Sequence, residues 1–545
     1  MKKSAVNIAL VCFISAGSLC AQIPRSISPD KKPFAQYNSL PPSNSVSHIA
    51  VDNSKIYIGT GRGLALSTDI GYSWTSFGDD PAFARGGIYA VSVRNDTVWA
   101  STGYDKETNT GSVQTGSGYA FRIHPDSLWH YVGQTLDASN DSLIAYGIND
   151  SVRILPVVVP EQNITFDIAL ADGAVWIASW ASGLRKTTDN GQSWQRILLP
   201  HDYMNTLTPY DTLWSYSSSD TMKIRRIFKR WDPRDHLNLL AFSVHVSGND
   251  TIWCGTAGGI NKSTDAGLSW TKFNRQNQSA PILGNWVITI REQSLNGFKR
   301  IWTTNWKTGE DEDYGVSYTD DGGKTWTNLL HGIKAYDFAF KDSITYIATS
   351  EGFYRTTDGG QTFTIFTNAA TALDEEQTIN SSLTLYDPAI YQAITSSEFF
   401  AVGIVGNEVI VGTSDGMATT RESGDQPFGS SWKVLRTYER LGDAQRTYAY
   451  PNPFSPRYEL VRIHYGTSSP GSADASRKVT IDIFDFGINR VKTLIKDADR
   501  EGALEYDELW DGRDDNGRLV ANGVYFYRVI LGGSEPMWGK ILVLQ

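Results

Sequence analysis

Short hydrophobic runs arranged in pairs dominate residues 46–435. Each pair consists of two β-rich runs joined by a polar turn, a pattern typical of a β-hairpin. The first pair is Ile49–Val51 with Ile56–Gly59, and six more begin at Val91, Ile168, Val244, Val287, Phe338 and Val402. Seven successive hairpins predict a repeated all-β architecture of about seven units.

An eight-residue motif follows five of these hairpins. Its first copy is Ser67-Thr68-Asp69-Ile70-Gly71-Tyr72-Ser73-Trp74, and it returns at 187–194, 263–270, 319–326 and 356–363. We expect the aspartate to cap a tight turn, the glycine to take dihedral angles that other residues resist, and the final aromatic ring to pack inward between units. A degenerate sixth copy runs from Thr420 to Trp432, and the second unit lacks the motif.

The motif resembles the Asp-box, or BNR, repeat of sialidases, sortilin-like receptors, xyloglucanase-type glycosidases and a photosystem assembly factor. The resemblance implies a β-propeller of about seven four-stranded blades. It also implies that the box aspartates are structural and lie away from the functional face; they are Asp69, Asp189, Asp265, Asp321 and Asp358. Six blades would follow if one hairpin is misread, and eight would need a blade hidden in an insertion.

Long insertions are predicted to lie on one face of the propeller. If the strands of a blade are A to D from the inside outward, the B–C and D–A connections emerge on the face opposite the A–B turns and the boxes. The five long segments are all B–C or D–A connections: 102–118, 130–162, 201–238, 305–314 and 368–392. A rigid scaffold with its length variation on one face is arranged like a binding protein or an enzyme.

Aromatic and acidic side chains of this face are candidate ligand-binding residues: Trp180, Trp306, Trp214, Tyr203, Asp105 and Asp311. Aromatic rings beside carboxylates suit stacking on sugars and recognition of their hydroxyl groups. The alternative is that the rings only pack the loops down and that the acidic run Glu310–Asp313 is a solvated turn. This run lacks a recognised calcium-loop pattern.

Composition narrows the classes of function. Forty per cent hydrophobic residues, 20% charged residues, 49 glycines, 17 tryptophans and 26 tyrosines in 545 residues indicate soluble, turn-rich β-structure. A formal net charge of -10 argues against a nucleic-acid partner. Scattered histidines and one cysteine outside the N-terminal leader, Cys254, give no metal-ligand spacing. We expect neither a metal nor a cofactor, and Cys254 to be a buried structural thiol.

The first 21 residues have the layout of a secretory signal peptide. Lys2 and Lys3 precede an apolar run and a small-residue cleavage region that ends before Gln22. Leu19 before Cys20 disfavours a lipoprotein signal. Residues 22–45 then form a lead segment, and no later run approaches the about 20 apolar residues of a membrane helix. We therefore expect no transmembrane segment in the mature protein.

A linker at 436–447 precedes alternating strands and turn clusters, which predict a small antiparallel β-sandwich at 448–545. Tyr450-Pro451-Asn452-Pro453-Phe454 and Gly523-Val524-Tyr525-Phe526-Tyr527-Arg528 resemble the C-terminal sorting domain of the type IX secretion system. They also resemble the immunoglobulin-like domain of flagellar hook-capping proteins. The resemblance implies the type IX machinery as a partner, and export to the medium or the outer-membrane surface of a Gram-negative bacterium.

Together these features favour a secreted or cell-surface propeller that binds a protein or polysaccharide through its loop-rich face. The competing hypothesis is a secreted glycoside hydrolase, sialidase-like or xyloglucanase-like, with two carboxylates on that face. No catalytic residue is assigned, because a sequence does not pair carboxylates brought from different blades. The segment Phe121–Pro125 differs from the sialidase Arg-Ile-Pro motif in position and in an inserted histidine. A third hypothesis is a structural surface-layer component.

Overall fold

A computed structural model describes residues 41–544 with gaps, the longest of which are 218–224, 367–397, 436–446, 468–476 and 501–504. Shorter gaps are 42, 44, 72, 109–110, 249, 415, 423–427, 430–431, 451, 457–459 and 533–534. The described residues form two compact units, 41–435 and 447–544. The predicted signal peptide, most of the lead segment, most of the linker and the insertion 368–392 lie outside the described residues.

Seven antiparallel sheets make up the first unit, and in each of them four strands, A to D, pair in chain order. The first sheet contains β1 (Val46–Asp52), β2 (Lys55–Thr60), β3 (Gly63–Ser67) and β4 (Thr75–Ser76). The second contains β5 (Gly87–Arg94), β6 (Thr97–Thr108), β7 (Gly111–Arg122) and β8 (His130–Val132). The insertion that follows holds β9 (Leu143–Tyr146) and β10 (Asn149–Ile154).

The third sheet contains β11 (Thr165–Ala171), β12 (Ala174–Ser179), β13 (Gly183–Thr187) and β14 (Gln195–Arg196). The next insertion holds β15 (Thr206–Leu207), β16 (Trp214–Ser217), β17 (Arg225–Phe228) and β18 (Arg230–Trp231). The fourth sheet contains β19 (Ala241–Ser247), β20 (Thr251–Thr256), β21 (Gly259–Ser263) and β22 (Trp270–Phe273).

The fifth sheet contains β23 (Trp286–Leu295), β24 (Phe298–Trp306), β25 (Gly315–Thr319) and β26 (Thr327–Leu329). The sixth contains β27 (Ala335–Lys341), β28 (Ile344–Thr349), β29 (Gly352–Thr356) and β30 (Thr364–Phe366). The seventh contains β31 (Phe399–Val405), β32 (Glu408–Thr413), β33 (Gly416–Arg421) and β34 (Lys433–Leu435). Helical structure in the described residues is limited to two 3-10 turns, Pro81–Phe83 and Leu237–Leu239.

The seven sheets close into a ring. Strand A of each sheet contacts strand A of the next, and β1 of the first sheet contacts β31 of the seventh. The strands A therefore line the inside of the ring, as in a β-propeller. The predicted all-β propeller is confirmed. The number of blades stays a prediction, with which these seven sheets agree.

Each strand B is sandwiched between neighbouring sheets. After its first residue, every position of β2, β12, β20, β28 and β32 is buried. Both faces of such a strand are covered, which explains why these runs are almost continuously apolar instead of alternating. None of the helical turns among the described residues is long and apolar enough to span a membrane.

The box turns share one hydrogen-bond network. In the third sheet, Thr187 Oγ1 donates to Asp189 Oδ1 at 2.7 Å, and Ser193 donates to the same carboxylate from N at 2.9 Å and from Oγ at 2.6 Å. Gly191 N donates to Thr187 Oγ1 at 2.9 Å. The same bonds surround Asp69, Asp265, Asp321 and Asp358. The turn itself therefore occupies these carboxylates.

The aromatic residue that ends each box packs against the preceding sheet. Trp194 of the third sheet lies edge-on to Trp99 of the second, with ring centroids 6.4 Å apart. Equivalent packing places each of the following pairs in one hydrophobic core: Trp270 with Trp176, Trp326 with Trp253, Phe363 with Trp302, and Trp74 with Met417. Because Trp74 is in the first sheet and Met417 in the seventh, the same contact also closes the ring.

The second unit is a β-sandwich. Its strands are β35 (Thr447–Tyr450), β36 (Val461–Gly466), β37 (Arg477–Phe484), β38 (Arg490–Arg500), β39 (Glu505–Trp510), β40 (Gly523–Leu531) and β41 (Met537–Val543). They form two antiparallel sheets, β35-β36-β39 and β38-β37-β40-β41, around one hydrophobic core. Phe454 of the Tyr-Pro-Asn-Pro-Phe motif is buried against Trp510, with ring centroids 5.7 Å apart. The predicted antiparallel sandwich is confirmed.

The box geometry predicts a specific acid sensitivity. Hydrogen bonds from the Ser193 hydroxyl, the Ser193 N–H and the Thr187 hydroxyl lower the pKa of Asp189 from 3.8 to about 2. A carboxyl group whose pKa is lowered by folding stabilises the fold above its unfolded pKa, and this contribution is lost as the pH falls from about 4 to 2. We expect Asp189→Asn to lower the urea midpoint at pH 7 and to weaken the acid dependence between pH 4 and 2.

Asp172→Asn is the matched control, because Asp172 is an exposed carboxylate of the same sheet that pairs only with Arg94 in the described contacts. It should leave the midpoint within error. Equal losses in both variants would contradict a role for the box network.

Candidate functional site

Strand A of every sheet carries a β-bulge near its start. The pairing of β1 with β2 shifts register between Val46 and His48, and the equivalent shift occurs in the other six sheets. The bulged residues are Ser47, Tyr89, Phe166, Phe242, Ile288, Tyr336 and Phe400. A bulge re-aims side chains and often lies beside a functional site. One repeated distortion thus places equivalent side chains, mostly aromatic, at the loop-rich end of the ring.

The bulged residues of the third, fourth, sixth and seventh sheets belong to one cluster of aromatic residues. We call Phe166, Trp180, Phe242, Trp286, Trp306, Tyr336 and Phe400 the aromatic arc. Phe242 contacts Phe166 at 5.8 Å, Trp180 at 5.1 Å and Trp286 at 5.3 Å between ring centroids. Tyr336 contacts Trp306 at 5.9 Å and Phe400 at 5.6 Å. These separations are typical of favourable aromatic pairs.

Two of the predicted ligand-binding residues lie in the arc. Trp180 follows β12 directly and is half-buried, so part of its ring is accessible. Trp306 ends β24, pairs across the strands with Trp286, and donates from Nε1 to Ala335 O at 3.2 Å. Because Trp306 is only 5% exposed, it supports the arc and offers little stacking surface.

The other four predicted residues lie in three separate segments. Tyr203 is 62% exposed in the insertion 201–238, and its hydroxyl lies 2.8 Å from His201 Nδ1. Trp214 begins β16 in the same insertion. Asp105 lies on β6, which with β7 extends the second sheet through the segment 102–118 that had been predicted as a loop. Asp311 is exposed in the turn between β24 and β25.

Hydrogen bonds to Glu312 hold this turn. The buried Glu312 carboxylate accepts hydrogen bonds from Thr308 N and Thr308 Oγ1, both at 2.8 Å, and from Asn285 N at 3.2 Å. Within the described ranges, no group of three or more His, Cys, Asp and Glu side chains is arranged to bind a metal ion. Cys254 is buried, and burial followed by the charge of Asp167 raises the pKa of its thiol.

The two longest described insertions reach the outer edge of the ring. Strands β9 and β10 of segment 130–162 form one sheet with β18 of segment 201–238. Asp137 accepts two hydrogen bonds of 2.8 Å from Arg185 of β13, and β15 pairs with β22, which ends the fourth sheet. Contrary to the prediction, these insertions therefore cover the outer strands of two sheets and do not lie only over the loop-rich face.

Charged side chains lie on the axis of the ring directly after the bulges. Asp167 follows Phe166, and Asp337 follows Tyr336. Arg291 of β23 reaches both: its Nη1 is 3.4 Å from Asp167 Oδ2, and its Nε is 3.3 Å from Asp337 Oδ1. Since these carboxylates belong to the third and sixth sheets, the arginine of the fifth sheet must lie across the middle of the ring.

We call Asp167, Arg291, Asp337 and His48 the axial cluster. Both carboxylates also tether the next sheet, because Val244 N donates to Asp167 Oδ2 at 3.1 Å and Val402 N donates to Asp337 Oδ2 at 3.4 Å. Hydroxyl groups also link neighbouring sheets at equivalent positions: Ser243 Oγ donates to Val287 O, and Thr289 Oγ1 donates to Tyr336 O. The position after the bulge is thus a link between neighbouring sheets.

Burial controls the protonation of the axial cluster. It raises the pKa of Asp337 to about 6, although Arg291 acts in the opposite direction, and it raises the pKa of Asp167 as well. Burial and then the charge of Arg291 lower the pKa of His48 to about 4. At neutral pH His48 is therefore an uncharged imidazole.

A second repeat in the sequence marks the arc. In five sheets an aromatic residue stands two positions before an apolar one: Tyr89-Ala90-Val91, Phe166-Asp167-Ile168, Phe242-Ser243-Val244, Tyr336-Asp337-Phe338 and Phe400-Ala401-Val402. The hairpins predicted from the sequence begin at the third residue of each triplet. The prediction therefore omits both the bulged aromatic residue and the next position, which carries the axial carboxylates in two sheets. Comparing the residues upstream of each hairpin would have found them.

No protein-family model matches the chain, and no curated protein matches it. Among solved structures it is similar to PorZ, a surface component of the type-IX secretion system of Porphyromonas gingivalis, with 14% identity and a TM-score of 0.31, over 92% of this chain and 66% of PorZ. YCF48 bound to D1 peptide matches with 12% identity and a TM-score of 0.39, over 77% of this chain and 100% of YCF48.

The extracellular domain of BT3049, a hybrid two-component system of B. thetaiotaomicron, matches with 10% identity and a TM-score of 0.29, over 91% of this chain and 72% of that domain. With identities of 10 to 14% and TM-scores of 0.29 to 0.39, we infer no function from these likenesses.

The packing of the aromatic arc predicts that removing its central side chain, Phe242, strongly destabilises the propeller. Phe242 is 7% exposed and contacts rings from three directions, so Phe242→Ala would leave a cavity. We expect a loss of about 3–5 kcal/mol in the stability of the ring, measured as a shift in its urea unfolding transition. Phe298→Ala, at the exposed tip of the β23–β24 hairpin, should change that transition by less than about 0.5 kcal/mol. A small loss for Phe242→Ala would show that the rings are not packed as described.

Proposed function

We propose that the chain is a secreted or cell-surface β-propeller that binds a polysaccharide or protein ligand at the aromatic arc, without covalent chemistry. The observation that carries this proposal is the position of the partly exposed rings Phe166, Trp180, Tyr336 and Phe400 beside the axial cluster. Ligand sites typically combine an apolar wall with a few fixed polar groups. Both parts here stand on strands of the scaffold, so the site is pre-formed and loses little entropy on binding.

The sequence supports the proposed location. The signal-peptide layout of residues 1–21 favours export across the inner membrane. The two motifs of the C-terminal domain favour passage through the type IX machinery to the medium or the outer-membrane surface. In that domain Phe454 pairs with the end of the last strand, since Phe454 N donates to Leu542 O and Leu544 N donates to Phe454 O, both at 3.0 Å. The motif that resembles the sorting domain is thus part of its core.

A glycoside hydrolase is the second candidate, and one observation favours it. Two carboxylates face the axis, and burial raises the pKa of Asp337 to about 6, a value that suits a general acid. Against this candidate, each carboxylate is held by a backbone N–H and by the same arginine, and each side chain is close to nine-tenths buried. Neither is presented to a substrate as an acid opposite a nucleophile would be.

Trp180 is the ring to substitute first. We expect the mature chain, residues 22–545, to bind at least one ligand on a polysaccharide array or in a pull-down from the outer membrane. Trp180→Ala should weaken this binding about tenfold or more, as expected for a central aromatic contact. Phe298→Ala is the matched control, because it removes an exposed ring at the opposite end of the propeller, at the tip of a hairpin in the fifth sheet. Equal affinities of the two variants would place the ligand elsewhere.

The hydrolase candidate is tested on the same sugars. If the chain only binds, no shortened product should form during prolonged incubation with any bound polysaccharide, as measured by chromatography of the reducing ends. A product that disappears in Asp337→Asn would overturn the binding proposal in favour of hydrolysis.

The C-terminal domain is tested by export. In a bacterium with a type IX system, the chain without residues 448–545 should remain inside the outer membrane, while the full chain reaches the surface or the medium. Immunoblots of fractions measure the distribution. Surface exposure of the shortened chain would contradict a sorting role.

A further inference from the structure

We propose that Arg291, held between Asp167 and Asp337, binds the hydroxyl groups of an uncharged saccharide at the axis of the ring. This inference rests on the proposed function and names the ligand class of that site. It is carried by the free side of the guanidinium group, the balance of charge around it, and the space that the neighbouring strands leave.

The guanidinium group has unused donors that reach solvent. Its Nη1 donates to Ile290 O at 3.1 Å and faces Asp167, while its Nε faces Asp337. Its Nη2 has no hydrogen-bond partner in the described part of the chain, and 36% of the side chain is exposed although it lies in the middle of the ring. Arginine offers five N–H donors in a fixed plane, so the unpaired edge is a pre-oriented donor site.

The charges around Arg291 select a neutral ligand. An anionic ligand that approached Nη2 would also approach the carboxyl groups of Asp167 and Asp337, which lie 3.4 and 3.3 Å from the guanidinium nitrogens. A cationic ligand would meet the guanidinium group itself. A sugar hydroxyl carries no charge and can accept a hydrogen bond from Arg291 Nη2, so neither repulsion applies to it. At neutral pH the imidazole of His48 is uncharged, so a ring nitrogen can donate or accept a hydrogen bond, depending on which nitrogen carries the proton.

The inner strands leave room beside Arg291. Counted from the bulges, its position is occupied in five other sheets by the small residues Ala50, Ser92, Ala169, Ala339 and Gly403. Arg291 is therefore a long side chain at a position where most of the other inner strands carry a small residue. Next to this level stand the partly exposed rings of the arc, whose faces can pack on the C–H face of a sugar ring.

The test uses the mature chain, residues 22–545, with uncharged monosaccharides: glucose, galactose, mannose and N-acetylglucosamine. Saturation-transfer NMR should show direct contact with at least one of them, and glucuronic acid and glucosamine should bind more weakly than their neutral parent. Arg291→Lys should weaken the best sugar about tenfold or more, the loss expected for a hydrogen bond from a charged group. Arg300→Lys is the control, since Arg300 forms a similar bidentate pair with Asp320 away from the axis.

Thermal unfolding of each variant separates binding from folding. If Arg291→Lys does not fold, Asp337→Asn replaces it, because the amide keeps the shape of the side chain and removes the carboxylate that holds Arg291 Nε in place. Unchanged sugar affinity in a folded axial variant would overturn the inference, as would stronger binding of the acidic or the amino sugar.

The outcome also separates this inference from the proposed function. If Trp180→Ala weakens a ligand that Arg291→Lys leaves unaffected, the axial assignment fails and the arc remains the binding site. If no uncharged sugar binds but a protein is captured in a Trp180-dependent way, the saccharide assignment fails and the protein form of the proposed function stands. If nothing binds in either assay, both fail.

Discussion

Contact between neighbouring sheets is the interaction on which the ring depends, because a single four-stranded sheet has no core of its own. Two repeated devices supply this contact. At one end, the box aromatic of one sheet packs against a core aromatic of the preceding sheet, as Trp194 does on Trp99. At the other end, the residue after the bulge bonds to the next strand A in four of the seven sheets, as Ser243 does to Val287. Like other repeat folds, the ring is therefore stabilised mainly by nearest-neighbour interfaces.

The two ends of the ring differ in what they leave unsatisfied. At the box end, the hydrogen bonds to each aspartate come from its own turn, so these carboxylates are already occupied. At the bulge end, two of the linking positions carry carboxylates in place of hydroxyl or apolar groups, and these carboxylates hold an arginine from a third sheet. The same structural position thus changes from a link between sheets to a set of charged groups on the axis. This difference explains why the candidate site lies at the bulge end.

Local patterns explain how much the sequence could predict. Each hairpin and each box lies within about ten residues of chain, so alternation and turn chemistry were sufficient to predict the ring. The axial cluster is different, because Arg291 is 124 residues from Asp167 and their contact exists only once the ring has closed. The course of the insertions along the outer strands is equally non-local, since it depends on pairs such as Arg185 with Asp137. Trp180 and Trp306 were found as aromatic residues of the predicted loop-rich face. Their burial was not predicted, because Trp180 packs on Phe242 and Trp286 from two other sheets and Trp306 pairs across the strands with Trp286.

The axial cluster lowers the stability of the fold, and this loss bears on its role. Burial raises the pKa of Asp337 from 3.8 to about 6, so the folded chain holds this proton more tightly than the unfolded chain does. The carboxylate therefore destabilises the fold as the pH rises from about 4 to 6, by on the order of 3 kcal/mol at neutral pH. Apolar residues of similar volume can replace buried ion pairs without loss of stability, and often with a gain. Hydroxyl groups at Ser243 and Thr289 show that the link between sheets needs no charge. Structural linking alone does not account for two carboxylates and an arginine at the axis, whereas a polar ligand that accepts hydrogen bonds from the arginine would.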